Sequence, residues 1–382
     1  MGLICYSVAS IKPAMLYYNE MKTMLKPLLP ALFLASPLCA EVPKVVTDIA
    51  PVQGLVASVM GDLGTPELLV PQGASPHDHA LSPSEARNLQ DADLVVWIGA
   101  ELSPGIGRKI DAIAGSAAEL ALFDAEVTAH LATRDGALFE HDHDHGDDGH
   151  AHGEHAHEDH DHDHDHDHDH DHDHDHDHDD DDHDDHDHEG HSDAHHDDDD
   201  HAADAHGHDH GPEDPHVWLS PANARAWLGV IADALAEADR ENAGAYRANA
   251  EAAQAEIDAA VTTARAQLDA ARDSRFVVFH DAYQYFEDTF GLNVLGAIQL
   301  SDATAPSPAR LSELRDAIAE TGATCVFAEP QFDSRLIDAV TEGTEVKVAE
   351  LDPLGMALEP GAGFYPALIG DLATRISDCA AD

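Results

Sequence analysis

Short apolar runs alternate with helical stripes along most of the chain. Lys44-Val45-Val46-Thr47 reads as a strand, and Val52, Leu55, Val56 and Val59 then recur at helical spacing. Leu68-Leu69-Val70 predicts a second strand, closed by Pro71 and Gly73. Ser82-Pro83-Ser84-Glu85 opens a helix, with a Ser cap, Pro at the first helical position and Glu three residues after the cap. Residues 94–98 (Leu-Val-Val-Trp-Ile) are apolar throughout, as a parallel strand covered on both faces must be. Alternation at this spacing predicts an α/β layer fold.

The second half repeats the pattern. Ser220-Pro221 starts a helix with Trp227, Ile231 and Leu235 on one face, and Gly244 marks a break. Tyr246, Ala250, Ala253, Ile257, Val261, Ala264 and Leu268 then follow at threes and fours. A helix of that length spans about 40 Å at 1.5 Å per residue, enough to bridge two lobes. Strands are predicted at 276–279, 293–295, 324–327 and 346–348, with helical stripes at Leu311, Leu314, Ile318 and at Leu368, Leu372, Ile376. The expected architecture is two α/β lobes, 41–240 and 275–382, joined by a helix at 241–274. A leader occupies 1–40.

One tract breaks the rhythm. Residues 141–210 hold 27 of the 32 His and 31 of the 76 acidic residues, with no Lys or Arg. The formal net charge of −57 therefore has two sources, and the rest of the chain carries only −26 of it. A polyanion without a basic patch repels phosphates, which disfavours nucleic acid and anionic membrane surfaces and leaves cations. With almost no apolar side chains, the insertion, 137–212 with its flanks, is expected to be disordered. It is either a solvated polyelectrolyte from a replicated codon run or a loose metal trap. As a trap, its many weak donors raise the local metal concentration without much selectivity against copper or nickel. Its affinity would fall as pH drops through about 6.5, the ordinary imidazole value.

At the N-terminus, residues 21–40 place Lys22 and Lys26 before an apolar stretch ending in Leu38-Cys39-Ala40. That order describes a secretory signal peptide cleaved near Ala40, with Met21 as the expected true start. Leu38 is too bulky for the residue before a lipidated Cys, so soluble export is expected. Two cysteines then remain, Cys325 and Cys379. An even count in an exported chain favours a disulfide over two buried thiols. No CxxC pair points to a cysteine zinc site or to thioredoxin-type chemistry.

Outside the tract only His77, His79, His130, His216 and His280 remain. His77 follows the second strand, His216 precedes a capped helix, and His280 directly follows the strand at 276–279. Asp352 similarly follows the strand near 346–351. Ligands of open parallel sheets bind at the carboxyl ends of the strands. Three imidazoles and one oxygen suit tetrahedral Zn²⁺, whereas a harder cation such as Mn²⁺ would prefer more carboxylates. A single loop His is more commonly a cap or a solvated side chain, and spacing alone does not join positions 77, 216 and 280.

Five segments in order carry a family resemblance: Gly73-Ala74-Ser75-Pro76-His77-Asp78, Asp214-Pro215-His216-Val217-Trp218, Val278-Phe279-His280-Asp281-Ala282-Tyr283, Phe327-Ala328-Glu329-Pro330-Gln331-Phe332 and Leu351-Asp352-Pro353-Leu354-Gly355. Together with the His/Asp-rich insertion they resemble the zinc-binding periplasmic receptors of bacterial ABC importers (ZnuA-like) over residues 41–382. The resemblance implies two (β/α)₄ lobes, a rigid linking helix, and Zn²⁺ carried in the inter-lobe cleft as cargo by His77, His216 and His280. It implies that Cys325 and Cys379 form the disulfide of the C-terminal lobe. The partners it implies are a membrane permease and an ATPase, with the receptor itself periplasmic and monomeric. Some members place Glu before the first ligand His; here Pro76 stands there, which leaves Asp352 or water for the fourth position. Related manganese receptors have Glu where this chain has His280, which argues for zinc. Glu329 is either a partner that orients a ligand imidazole or a solvent-facing strand-end carboxylate. His79 is an alternative to His77, and His130 has no assigned role.

Two other functions fit three His less well. An exported zinc hydrolase would need a general base, for which Glu329 is the only candidate and no HExxH helix exists. A metal buffer or adhesin would need no transport partner. For a receptor, a stiff linking helix implies limited domain closure, with loop movement around His216 instead.

Overall fold

Buried apolar runs build two sheets with the same wiring in the computed structural model, which describes residues 42–139, 213–300 and 305–381. The expected leader at 1–40, with its Met21 start and its break near Ala40, and residues 140–212 lie outside the described residues. The first sheet comprises β1 (Val45–Thr47), β2 (Glu67–Leu68), β3 (Leu94–Trp97) and β4 (Ala118–Ala121) in the order β2-β1-β3-β4. The second comprises β5 (Arg275–His280), β6 (Asn293–Gln299), β7 (Cys325–Ala328) and β8 (Lys347–Glu350) in the order β6-β5-β7-β8. Every pairing is parallel, with Val46 opposite Glu67, Leu94 opposite Ala118, Phe276 opposite Cys325 and Cys325 opposite Lys347.

Helices cover both faces, which is why the central strands are apolar along most of their length. In the first lobe these are α1 (Ala50–Met60), α2 (Pro83–Gln90), α3 (Pro104–Ile113) and α4 (Pro221–Ala238). Then come α5 (Ala243–Leu268), α6 (Gln284–Phe290), α7 (Pro308–Thr321), α8 (Arg335–Thr341) and α9 (Phe364–Ala381). Successive strand residues face opposite ways. Val46, Val95 and Trp97 pack with Leu89, Ile106 and Ile110 of the outer helices, and Val277, Phe279 and Val326 do so with Leu314, Ile318 and Val340.

The other faces meet a shared layer. α1, α4, α5 and α9 pack on one another, and a single apolar cluster runs from Val45 in β1 to Cys379 in α9. The two lobes therefore share one core rather than touching across a thin hinge. α5 has 26 residues, about 39 Å of helix, and packs against α4 of one lobe and α9 of the other. The lobes approach closely at Gly54 in α1, where an added Cβ would lie 2.7 Å from the Cβ of Phe364. Cys325 at the start of β7 bonds Cys379 near the end of α9, tying sheet to helix over 54 residues. In the chain-entropy account, a loop of that size stabilises the fold by about 4 kcal/mol.

Several details differ from the sequence expectation. β2 ends at Leu68, yet the N–H groups of Leu69 and Val70 still donate to the carbonyls of Thr47 (2.8 Å) and Asp48 (2.9 Å), so the ladder outlasts the strand. Gly244 lies inside α5, which begins at Ala243, and is no break. Residues 137–139, expected as part of the insertion, belong to the fold. Ala137 and Phe139 are buried, and Leu138 bridges antiparallel to Gly296 of β6. Among the described residues, no helix is long and apolar enough to cross a membrane.

Candidate metal centre

Loops that follow the carboxyl ends of five strands converge between the lobes. His77 lies in the loop from β2 to α2, and His216 in the long connection from β4 to α4. His280 is the last residue of β5, Glu329 follows β7, and Asp352 follows β8. Ser103 Oγ donates to the carbonyl of Pro76 (2.9 Å) and the N–H of His77 to Ser75 Oγ (3.2 Å), which fixes the first loop. His216 enters a 3₁₀ turn, Val217–Leu219, and Ser220 then caps α4 by accepting from the N–H of Asn223 (3.2 Å).

All three imidazoles are buried, with exposures of 2–4 %. Their ring centroids are 5.4 Å (His77 to His216), 5.2 Å (His216 to His280) and 6.4 Å (His77 to His280) apart. One donor atom from each lies within 4.8 Å of the other two. Three buried imidazoles around one point offer a set of nitrogen lone pairs to a cation.

Two of the rings have carboxylates behind them. Nδ1–H of His216 donates to Asp214 Oδ1 (2.7 Å), whose oxygen also accepts the backbone N–H of His216 (2.9 Å). Nδ1–H of His280 donates to Glu329 Oε1 (2.6 Å), and Glu329 Oε2 accepts from Gln331 Nε2 (2.8 Å). A carboxylate acceptor at Nδ1 fixes the tautomer, so the lone pair sits on Nε2, and it raises that atom's basicity. Burial pushes the Glu329 carboxyl above its ordinary value, while the hydrogen bonds and charge of His280 pull it back. A divalent cation among neutral imidazoles keeps its full charge. Two buried carboxylates one bond further out balance that charge and give the donor set a strong preference for a metal over nothing.

The remaining candidates have other partners. Asp352 Oδ1 accepts the N–H groups of Leu354 (2.9 Å) and Gly355 (3.0 Å), and Oδ2 accepts that of Met356. Its carboxylate thus organises the loop from β8 to α9, and it is not in the group whose donors lie within 4.8 Å. His79 Nε2 contacts Glu85 Oε2 (3.1 Å), part of the capping box of α2. The ring of His130 packs edge-on against Phe123, with centroids 4.5 Å apart. A cavity of about 510 Å³, lined by His77, Asp78, His79, Leu81, Arg108 and Lys109, reaches the first imidazole.

Sequence reasoning missed Asp214, although it stands in the segment that located His216. The signal was available: Asp two residues before His lets a short carboxylate hook forward onto both the N–H and the ring.

Residues 45–379 match the family model described as "Zinc-uptake complex component A periplasmic" (ZnuA). The high-affinity zinc uptake system protein ZnuA of Paracoccus denitrificans (strain Pd 1222) is 47 % identical over 346 residues, 90 % of this chain and 94 % of that protein. Its namesake from Brucella abortus (strain 2308) is 40 % identical over 348 residues, covering 91 % and 94 %. A solved structure titled "Crystal structure of ZnuA" shares the fold with a TM-score of 0.61 at 20 % identity, covering 88 % of this chain and 99 % of that one. The chain belongs to the ZnuA family of periplasmic zinc-uptake components.

Proposed function

We propose that the cleft holds one Zn²⁺ through His77, His216 and His280, with water in the fourth position, and that the protein is a monomeric periplasmic zinc receptor. The observation that carries this reading is the convergence of three buried imidazoles, two of them backed by buried carboxylates, from two loops of the first lobe and a strand end of the second. Asp352 is left out of the ligand set because its oxygens serve three backbone N–H groups of its own loop.

Capture proceeds as exchange of zinc's water for neutral imidazoles, with the lone pairs of His216 and His280 held on Nε2 by their carboxylates. The cavity beside Arg108 and Lys109 offers a hydrated ion a way to His77. The loaded receptor then presents both lobes to the permease of an ABC importer, whose ATPase supplies the energy for release. Glu329 supports a receptor over a zinc hydrolase: a general base needs an oxygen aimed at water, and both of its oxygens are engaged by His280 and Gln331. The shared inner core supports release by loop movement near His216 rather than wide opening of the lobes.

The test is competitive titration with a zinc chelator. One tight site is expected, lost when His77, His216 or His280 becomes Ala and kept when His79 or His130 does. Tight binding that survives all three ligand substitutions would overturn the proposal.

A further inference from the structure

Residues 128–129 are still tied to α4 of the first lobe, through Asn223 and Trp227, but residues 131–139 that follow are fastened mostly to the second lobe. At one end, Leu131 N–H donates to Tyr285 Oη (3.0 Å), and that hydroxyl donates to the carbonyl of Asp214 (2.9 Å). Asp214 N–H donates to the carbonyl of Leu131 (2.8 Å), and Ala132 bridges antiparallel to Glu213. At the other end, Phe139 N–H donates to the carbonyl of Leu295 (2.8 Å), and Arg310 Nη1 donates to that of Gly136 (2.6 Å). The strap lies so close to β6 that a Cβ at Gly296 would sit 2.1 Å from the carbonyl oxygen of Ala137.

Arg134 stands in the middle. Its Nε donates to both oxygens of Asp281 (3.1 and 3.2 Å), and Nη2 donates to Oδ1 as well. Nη1 and Nη2 donate to Glu287 (2.8 and 2.9 Å), and the guanidinium carbon lies 3.7 Å from the ring centroid of Phe139. Both carboxylates are buried, and burial pushes the Glu287 carboxyl up to about 7 against the pull of Arg134. A planar fork that serves two acceptors at once fixes direction as well as distance, which an ammonium does not.

The placement gives this cluster a purpose beyond stability. Asp281 directly follows His280, and the strap pairs with Glu213 and Asp214, just ahead of His216. One guanidinium therefore joins the backbone that carries a ligand of the first lobe to the backbone that carries a ligand of the second. We propose that Arg134 is a positioning residue for metal capture, holding His216 and His280 in register before the ion arrives. The proposal rests on the three-His reading of the site.

The test uses the mature full chain, loaded with one equivalent of Zn²⁺ or of Co²⁺ as a spectroscopic probe. Arg134→Ala is expected to release zinc about 10-fold faster, the lower end of the range for losing a direct partner of a metal ligand, because Arg134 acts through Asp281 and the strap and touches neither imidazole. Its visible cobalt bands should shift, because the angle between the two imidazoles changes, and Arg134→Lys should recover only part of each effect. A purely structural ion cluster would lower the melting temperature and leave both the release rate and the cobalt spectrum unchanged, which would overturn the proposal. Should Arg134→Ala not fold, Arg134→Lys and Glu287→Gln carry the same test, and unchanged release from both would refute it. If His280→Ala leaves the cobalt spectrum of the parent chain unaltered, the site reading fails instead.

Discussion

The imidazoles of the cleft and those of residues 141–210 are one functional group in two settings. From Asp161 to Asp179 the tract alternates His and Asp strictly, so each ring has the same sequence neighbours as the next. In the cleft, His77 and His216 come from two loops and His280 from the end of β5, and Asp214 and Glu329 each serve one particular ring. Repetition multiplies binding opportunities without ranking them. A folded site spends residues from the whole chain to make one arrangement of three rings. Selectivity belongs to the second strategy, because metal preference follows from donor number and geometry and not from donor abundance.

The sharpest break of this contrast is removal of a cleft ligand. Structural zinc sites bind with roughly 10–16 kcal/mol across four ligands, so one ligand corresponds to about 3 kcal/mol. His280→Ala should weaken tight zinc binding by about 100-fold or more in a chelator competition, despite the 27 other imidazoles in the tract. Next come the backing carboxylates. Glu329→Gln and Asp214→Asn keep the shape and remove the charge, and each should cost about 10- to 100-fold in affinity. Calorimetry at fixed pH distinguishes these losses from those of the ligands.

Deleting residues 141–210 approaches the contrast from the other side. The tight site should keep its affinity to within about twofold, the scatter expected for independent sites, while the weak sites disappear from the isotherm. Loss of the tight site with the tract would place it outside the cleft.

The smallest effect concerns a buried carboxylate that supports no ligand. Asp48 accepts the N–H groups of Ile49 and Ile98 (both 2.8 Å) at the carboxyl ends of β1 and β3, and burial raises its carboxyl to about 7. The folded state thus favours the protonated form. That contribution to stability is full below about pH 4 and is lost as pH rises through about 7. Thermal melts of the metal-free protein should show this slope, Asp48→Asn should flatten it, and zinc affinity should stay unchanged.

Much of this was legible in the sequence because each lobe obeys simple periodicities. Continuous apolar strands and the caps at Ser82 and Ser220 located most of both sheets and their helices. What escaped was short or atypical. α6 and α8 have seven residues each, under two full turns, and Pro104-Gly105-Ile106-Gly107 hides the start of α3 behind two poor helix formers. β4 reads Ala-Glu-Leu-Ala, an edge strand without an apolar run. The site followed the same rule. The three candidate histidines stood out because few histidines lie outside the tract and those three fall beside strand or cap signals. Arg134 gave no signal, since its partners Asp281 and Glu287 lie 147 and 153 residues away and only tertiary packing joins them.

The contrast between cleft and tract is tested most directly by X-ray absorption at the zinc edge, on protein lacking residues 141–210 and loaded with one equivalent of metal. The account predicts a four-coordinate shell with three imidazole nitrogens at about 2.0–2.1 Å and one light oxygen, and loss of one imidazole in His280→Ala. A six-coordinate, oxygen-rich shell, or one unchanged by His280→Ala, would contradict it.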